Sequence, residues 1–199
     1  MSLVDRVKNI LTAPQKEFEV INGESGNASS ITTTYVVPLV LIGAVASFIG
    51  YGFIGISYGF LGNYHSVGFG VKMAIWYAVA GILSTFILAF IIDALAPNYG
   101  AEKNFDQSFK VAAYSSTASW VAGVFHIIPS LALIAGLGGL YSLYLLYVGL
   151  GSLKKSPEDK RTMYFVIVLV VAIVVYIVLG LIASKILYPD LGVGSFRLN

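Results

Sequence analysis

The chain has 199 residues, 57% of them hydrophobic and only 11% charged. An average soluble domain holds about 45–50% apolar and about 25% charged residues, so the mean hydropathy of +0.83 points to a membrane rather than to water. A net charge of +2 confined to the polar gaps argues against a nucleic-acid partner, and the lack of cysteine excludes thiol catalysis, disulfides and cysteine-based metal or iron–sulfur sites.

Residues Ser2 to Leu11 place Leu3, Val4, Val7, Ile10 and Leu11 on one helical face and Asp5, Arg6, Lys8 and Asn9 on the other. Thr12 and Gln15 form a possible capping box, with Pro14 early in a second short helix carrying Phe18, Val20 and Ile21. Both helices are expected to lie along the membrane surface or to dock on the protein's own cytoplasmic face. Residues 22–30, rich in Gly, Ser and Asn, read as a linker.

Five long apolar stretches follow. Crossing the hydrocarbon layer takes about 20 apolar residues in a helix, and only helices or closed barrels satisfy their backbone groups there. These runs are too long and too unalternating for barrel strands. The expected fold is an all-α membrane protein with five transmembrane helices, near 35–59, 73–95, 109–128, 130–149 and 163–186. One or two amphipathic cytoplasmic helices (1–30) precede them and a short outward tail (188–199) follows. No leader-like core with a cleavage site precedes the first run, which is read as an uncleaved insertion signal.

In the first span Pro38 falls in the first turn, and Gly52, Gly55, Gly59 and Gly62 recur at three- and four-residue intervals. That stripe suits close helix packing or, alternatively, a flexible pore-lining segment. The second span carries Trp76 and Tyr77 near one interface and Pro97 beyond the other end. The third is the least oily, with Ala112, Ser116, Ser119 and Gly123 on one small face, and belongs inside the bundle. Pro129 turns the chain into the fourth span, where Ala132, Gly136 and Gly139 offer a matching face. Ser156, Pro157, Glu158 and Asp159 announce the fifth span, whose Val, Ile and Leu content marks a lipid-facing helix.

With five spans and the N-terminus inside, the cytoplasmic side collects Arg6, Lys8, Lys16, Lys103, Lys110, Lys154, Lys155, Lys160 and Arg161. Lys72, Lys185 and Arg197 remain outside, and the C-terminus faces outward. The Asn27-Ala28-Ser29 acceptor triplet lies inside on this count and reads as chance.

No nucleophile with its base, no metal-ligand spacing and no convergent acids assemble in the sequence. No catalytic, cofactor-binding or metal-binding residue is assigned, and no cofactor is expected. His65 and His126 sit near outer turns without a metal motif. Asp93, near the cytoplasmic end of the second span, is the one intramembrane acid, with Lys110 as its natural partner. It serves either ion or proton movement or the fixing of the second-to-third connection. Tyr141, Tyr144 and Tyr147 read as an interfacial aromatic belt.

The stretch from Asn98 to Ser115, the turn Ile127-Ile128-Pro129, the segment Leu140 to Leu150, and Ile10 to Pro14 with Glu17 and Phe18 resemble prokaryotic members of the Ypt-interacting protein (Yip) domain family. The resemblance runs from about Val7 to Leu187. It singles out Tyr99, Gly100, Tyr114 and Pro129 as family positions. The acidic-Leu-Tyr-Gly-Pro motif of the eukaryotic branch is reduced here to Asn98-Tyr99-Gly100. The resemblance implies a five-span protein with a cytoplasmic N-terminus in the cytoplasmic membrane. Eukaryotic members bind Rab-type GTPases and one another in vesicle traffic. For this chain a non-enzymatic membrane-organising or adaptor role is what remains. The expected partners are the lipid bilayer, further copies of the chain and another membrane-associated protein. A small oligomeric channel or an ion-coupled transporter using Asp93 is the alternative.

Overall fold

The computed structural model describes residues 1–57 and 63–187, so Gly59, Gly62 and the expected tail lie outside the described residues. Helix α1 spans Leu3–Thr12; Ser2 caps it by accepting the Asp5 amide at 3.1 Å. The Thr12 hydroxyl donates to the Lys8 carbonyl at 2.8 Å. It therefore closes α1 and does not cap the next helix. Helix α2, Pro14–Gly23, begins after Ala13 with no side-chain cap, and Pro14 occupies the first turn, where an amide hydrogen is not needed. Ile10, Phe18 and Ile21 are fully buried against the membrane helices, whereas Val4, expected on the apolar face, is 74% exposed.

The first long helix starts earlier than expected. Asn27 and Ser30 form a reciprocal capping box that launches α3, Ala28–Ile31. A π turn at Thr32–Val36 joins α3 to α4, Val37–Ile49, and a second π turn closes the run at Ile54. Gly55 then adopts φ 83°, a conformation suited to glycine, and breaks the helix. Gly55 is thus the stop signal of this helix. A two-residue antiparallel ladder, β1 (Ile56–Ser57) with β2 (Asn63–Tyr64), leads to α5.

Helix α5 spans Val67–Leu95 and ends in a 3-10 turn, Ala96–Tyr99. Its first turns press against the end of the preceding helix: a Cβ on Gly70 would lie 2.7 Å from Gly52 Cα. A Cβ on Gly52 itself would meet nothing nearer than 3.8 Å, so the close approach depends on the missing Cβ of Gly70.

The third stretch departs from expectation. Helix α6, Phe105–Ser115, stops at Ser116; α7 covers only Thr117–Ala122, and a 3-10 turn completes the segment at Ile127. Ser115, Ser116 and Thr117 all turn their hydroxyls back onto the chain, to the carbonyls of Val111, Ala112 and Tyr114. Such back-bonding competes with the helix ladder and bends it. Among the described residues four helices are long and apolar enough to cross a membrane, not five: Ala28–Ile54, Val67–Tyr99, Pro129–Ser152 and Glu158–Ile182. The broken segment is buried between them. It runs along α4 from Tyr35, whose hydroxyl meets that of Thr117 at 2.7 Å, to Gly50, which abuts the His126 carbonyl.

Pro129 opens a short 3-10 turn (Pro129–Leu131) into α8, Ala132–Ser152. The close face of α8 is not the one expected. Gly136 has open space around it, and Gly139 only grazes Ser119. Gly138 lies so near α7 that a Cβ would meet Ala122 Cβ at 2.4 Å and the Ala118 carbonyl at 2.6 Å. Ser119 and Ser142 hydroxyls bond across this contact at 2.9 Å. Helix α9, Glu158–Leu187, carries Glu158 and Asp159 in its first turn and exposes Val174, Ile177, Val178 and Leu181, as befits a helix facing lipid. One core links Ile10, Phe18 and Ile21 of the N-terminal helices with Val36, Ile92, Phe109, Leu145 and Tyr164 of the bundle.

Candidate functional site

Charged side chains concentrate at one end of the bundle, where the C-terminus of α5, the start of α6, the α8–α9 connection and the two N-terminal helices meet. In a chain this apolar, buried charge is the costly feature, and here it is met by ion pairs at Arg6 and Lys154 and by carbonyl acceptors at Lys110.

Asp93, 8% exposed, accepts a hydrogen bond from Ser108 Oγ at 3.2 Å and faces Lys154 Nζ at 3.6 Å. Lys154, only 2% exposed, also donates to the Asn104 carbonyl at 3.2 Å. Burial pushes the Lys154 ammonium below its ordinary value, and the Asp93 carboxylate opposes that shift. The expected pairing of Asp93 with Lys110 is thereby corrected. Lys110 Nζ points to the far side, donating to the carbonyls of Ile21 (3.3 Å) and Glu24 (2.6 Å). An ammonium at the last carbonyls of α2 satisfies orphan acceptors and complements the helix dipole. Burial lowers the Lys110 ammonium too, against the charges of Glu24 and Asp106.

Arg6, a residue the sequence placed merely on a polar face, is 8% exposed and bridges Glu17 at 2.7 Å and Glu24. Its guanidinium is raised: burial works against the charge, and the bond to Glu24 with the Glu24 and Glu17 charges outweighs it. The guanidinium also lies 5.7 Å from the centre of the Tyr114 ring, and Tyr114 packs on Tyr35 at 4.6 Å. Tyr141 donates to the Leu11 carbonyl at 2.9 Å, so it holds α1 rather than serving only as an interfacial ring.

Tyr99 stacks on Tyr164 with centroids 5.2 Å apart and planes 12° off parallel. Gly100 adopts φ 70° to turn the chain after the 3-10 helix, and a Cβ there would approach Pro157 at 3.3 Å. Asp93, Lys110, Tyr99, Gly100 and Tyr114 therefore gather at the polar end. Pro129 does not; it lies at the opposite end with His126, whose Nδ1 is 2.9 Å from the Gly123 carbonyl. The polar residues that sequence reasoning missed carry no further local signal: Arg6, Glu17 and Lys154 show only a charge, and Ser108 only a hydroxyl. Their partners come from distant parts of the chain.

The serines of α6 and α7 have a second setting. Ser115, Ser116 and Ser119 line an open groove of about 460 Å³ on the side of the bundle, together with Ser84, Trp76 and Tyr176. Gly123, on the same segment, abuts the Tyr77 hydroxyl and Gly43 Cα, again a close packing position. Among the described residues no three His, Asp or Glu side chains gather to hold a metal ion.

A family model described as the Yip1 domain matches residues 8–180. No curated protein and no solved structure matches the chain.

Proposed function

The chain belongs to the Yip1 domain family, and from that premise we propose that it is a non-enzymatic membrane adaptor, acting through the charged end of its helix bundle. The observation that carries this reading is the way α1 and α2 are held. Two ion pairs from Arg6 clamp α1 to α2 and the residue that follows it, while the Lys110 bonds to the end of α2 and the Tyr141 bond to α1 fix the pair to the bundle. Their buried faces merge with the core, while Val4, Lys8, Lys16 and Val20 are left exposed. A preordered surface of apolar and basic groups loses little entropy on binding, which suits protein contact.

This end faces the cytoplasm. It holds Arg6, Lys110, Lys154 and Arg161, and the basic residues next to them in sequence, in keeping with the positive-inside tendency. Asp93 serves to secure the α5–α6 connection to the α8–α9 turn. Its Lys154 and Ser108 partners leave it neutralised at the bundle end, a poor arrangement for a carboxylate that must take up and release ions.

The test is co-purification from native membranes in lipid discs. Deleting residues 1–30 would strip Ile10, Phe18 and Ile21 from the core, so surface variants Val4→Asp and Val20→Asp are the right probes. A stoichiometric protein partner lost in these variants, with fold retained, supports the adaptor. A partner set that the variants leave unchanged overturns it.

A further inference from the structure

A pocket of about 340 Å³ lies where α2, the end of α8 and the start of α9 meet, walled by Gln15, Glu19, Tyr144, Tyr147, Gly151 and Arg161. It falls within the roughly 300–1,000 Å³ of small-ligand sites. We propose that it binds the headgroup of an aminophospholipid, with the phosphate on Arg161, the ammonium toward Glu19 and an acyl chain laid down α8.

Arg161 is built into the pocket. Its guanidinium lies against Gly151, where a Cβ would meet Cζ at 2.7 Å and Nε at 2.8 Å. The other flank is the Tyr147 ring, 5.9 Å from Cζ to its centre. A guanidinium has five N–H donors. One of its nitrogens donates to the Ser156 carbonyl at 3.3 Å; Nε is buried without a partner, and no carboxylate pairs with Arg161 among the described residues. An oriented, unneutralised fork of this kind is matched to phosphate oxygens.

The surroundings select a lipid over a free anion. Arg161 stands just ahead of the apolar run of α9 and beside the last turns of α8, the end of a spanning helix at which a lipid phosphate would be met. From Tyr144 at the pocket, Leu140, Leu137 and Leu133 follow at three- and four-residue spacing on one face of α8, 65%, 62% and 87% exposed. That strip offers an acyl chain a continuous track beginning at the pocket. Glu19, an exposed carboxylate on the α2 wall, would repel a purely anionic headgroup. It complements one that carries an ammonium beside its phosphate.

The experiment is native mass spectrometry of the full chain in mild detergent, offered equal amounts of phosphatidylethanolamine and phosphatidylglycerol. The wild-type protein should retain phosphatidylethanolamine preferentially. Arg161→Gln should lower its occupancy about tenfold, the effect expected of one charge-assisted bond. Gly151→Ala displaces only the flexible end of Arg161 and suits a helix, so it tests the same fork with the fold preserved and should weaken retention in the same direction. Glu19→Gln, on the surface, should keep lipid binding but erase the preference over phosphatidylglycerol. Equal occupancy in wild type, Arg161→Gln and Gly151→Ala overturns the site. Release of the lipid by millimolar inorganic phosphate alone would show a free-anion site and overturn the lipid assignment.

Discussion

Removing Asp93 or Lys154 singly should cost far more than removing both. Lys154 is 2% exposed and Asp93 8%, and their 3.6 Å separation puts the ammonium and the carboxylate in direct opposition. Asp93→Asn leaves the ammonium with the Asn104 carbonyl for company, and Lys154→Met leaves the carboxylate with Ser108 alone. An uncompensated buried charge costs about 3–5 kcal/mol, and the long separation with one neutral bond remaining on each side favours the lower end, about 3 kcal/mol per single variant. In the double variant no charge is stranded, and Met fills the volume of Lys; its stability should return to within about 1 kcal/mol of wild type. The assay is equilibrium unfolding of all four proteins in one detergent, at neutral pH and fixed salt. A double variant destabilised by the sum of the singles would refute the reasoning, because it would mean the two groups act independently. The same cycle bears on transport: an Asp93→Asn protein as stable as wild type yet altered in ion flux would return Asp93 to a conducting role.

The Lys154 ammonium also sets a pH response. Its value in the folded protein is lowered from 10.5, so between the lowered value and 10.5 the unfolded chain binds more protons, and this group's contribution to stability rises with pH there. Subtracting the Lys154→Met profile from that of wild type between pH 8 and 10.5 should leave a positive slope; a flat or negative difference contradicts the burial argument. Gly138→Ala should destabilise by about 1–3 kcal/mol through its clash with Ala118 and Ala122, whereas Gly136→Ala, with open space, should be neutral or gain up to about 1 kcal/mol in thermal unfolding. Arg6→Met should unclamp α1 from Glu17 and Glu24 of the α2 segment, and limited proteolysis should then cut before residue 28 many times faster than in wild type. Unchanged protection would show that the Lys110 and Tyr141 bonds and the burial of Ile10, Phe18 and Ile21 hold these helices without the Arg6 clamp.

The four long helices were legible because apolar length needs no knowledge of partners: a run of Val, Ile and Leu such as that of α9 has few places to go but a bilayer. Capping chemistry was legible only locally. Asn27 and Ser30 moved the first helix start ahead of Tyr35, and Gly55 ended it where a packing stripe was expected. The third segment was read as polar and internal, which it is. Its break at Ser116 escaped notice because three adjacent hydroxyls can either stay in the helix or bend it, and composition does not distinguish the two. Rotation was the other blind spot. Helix α8 is apolar all round, so nothing in its pattern favours the Gly138 face over the Gly136 face; only the approach of α7 decides. The site was half visible. Asp93 stands out as the lone intramembrane acid, but Lys110 is only the base at the start of the next apolar stretch, and the α8–α9 turn brings Lys154 closer.

Photo-crosslinking in living cells distinguishes held N-terminal helices that present a protein-binding surface to the cytoplasm from helices that lie on the membrane. One photoreactive residue would replace Val4, 74% exposed on α1, and another would replace Leu133, 87% exposed at the far end of α8. A protein-binding surface on α1 gives a discrete protein adduct at position 4 and lipid adducts at position 133. Lipid alone at position 4 would contradict it and make α1 a membrane-lying helix rather than an adaptor surface.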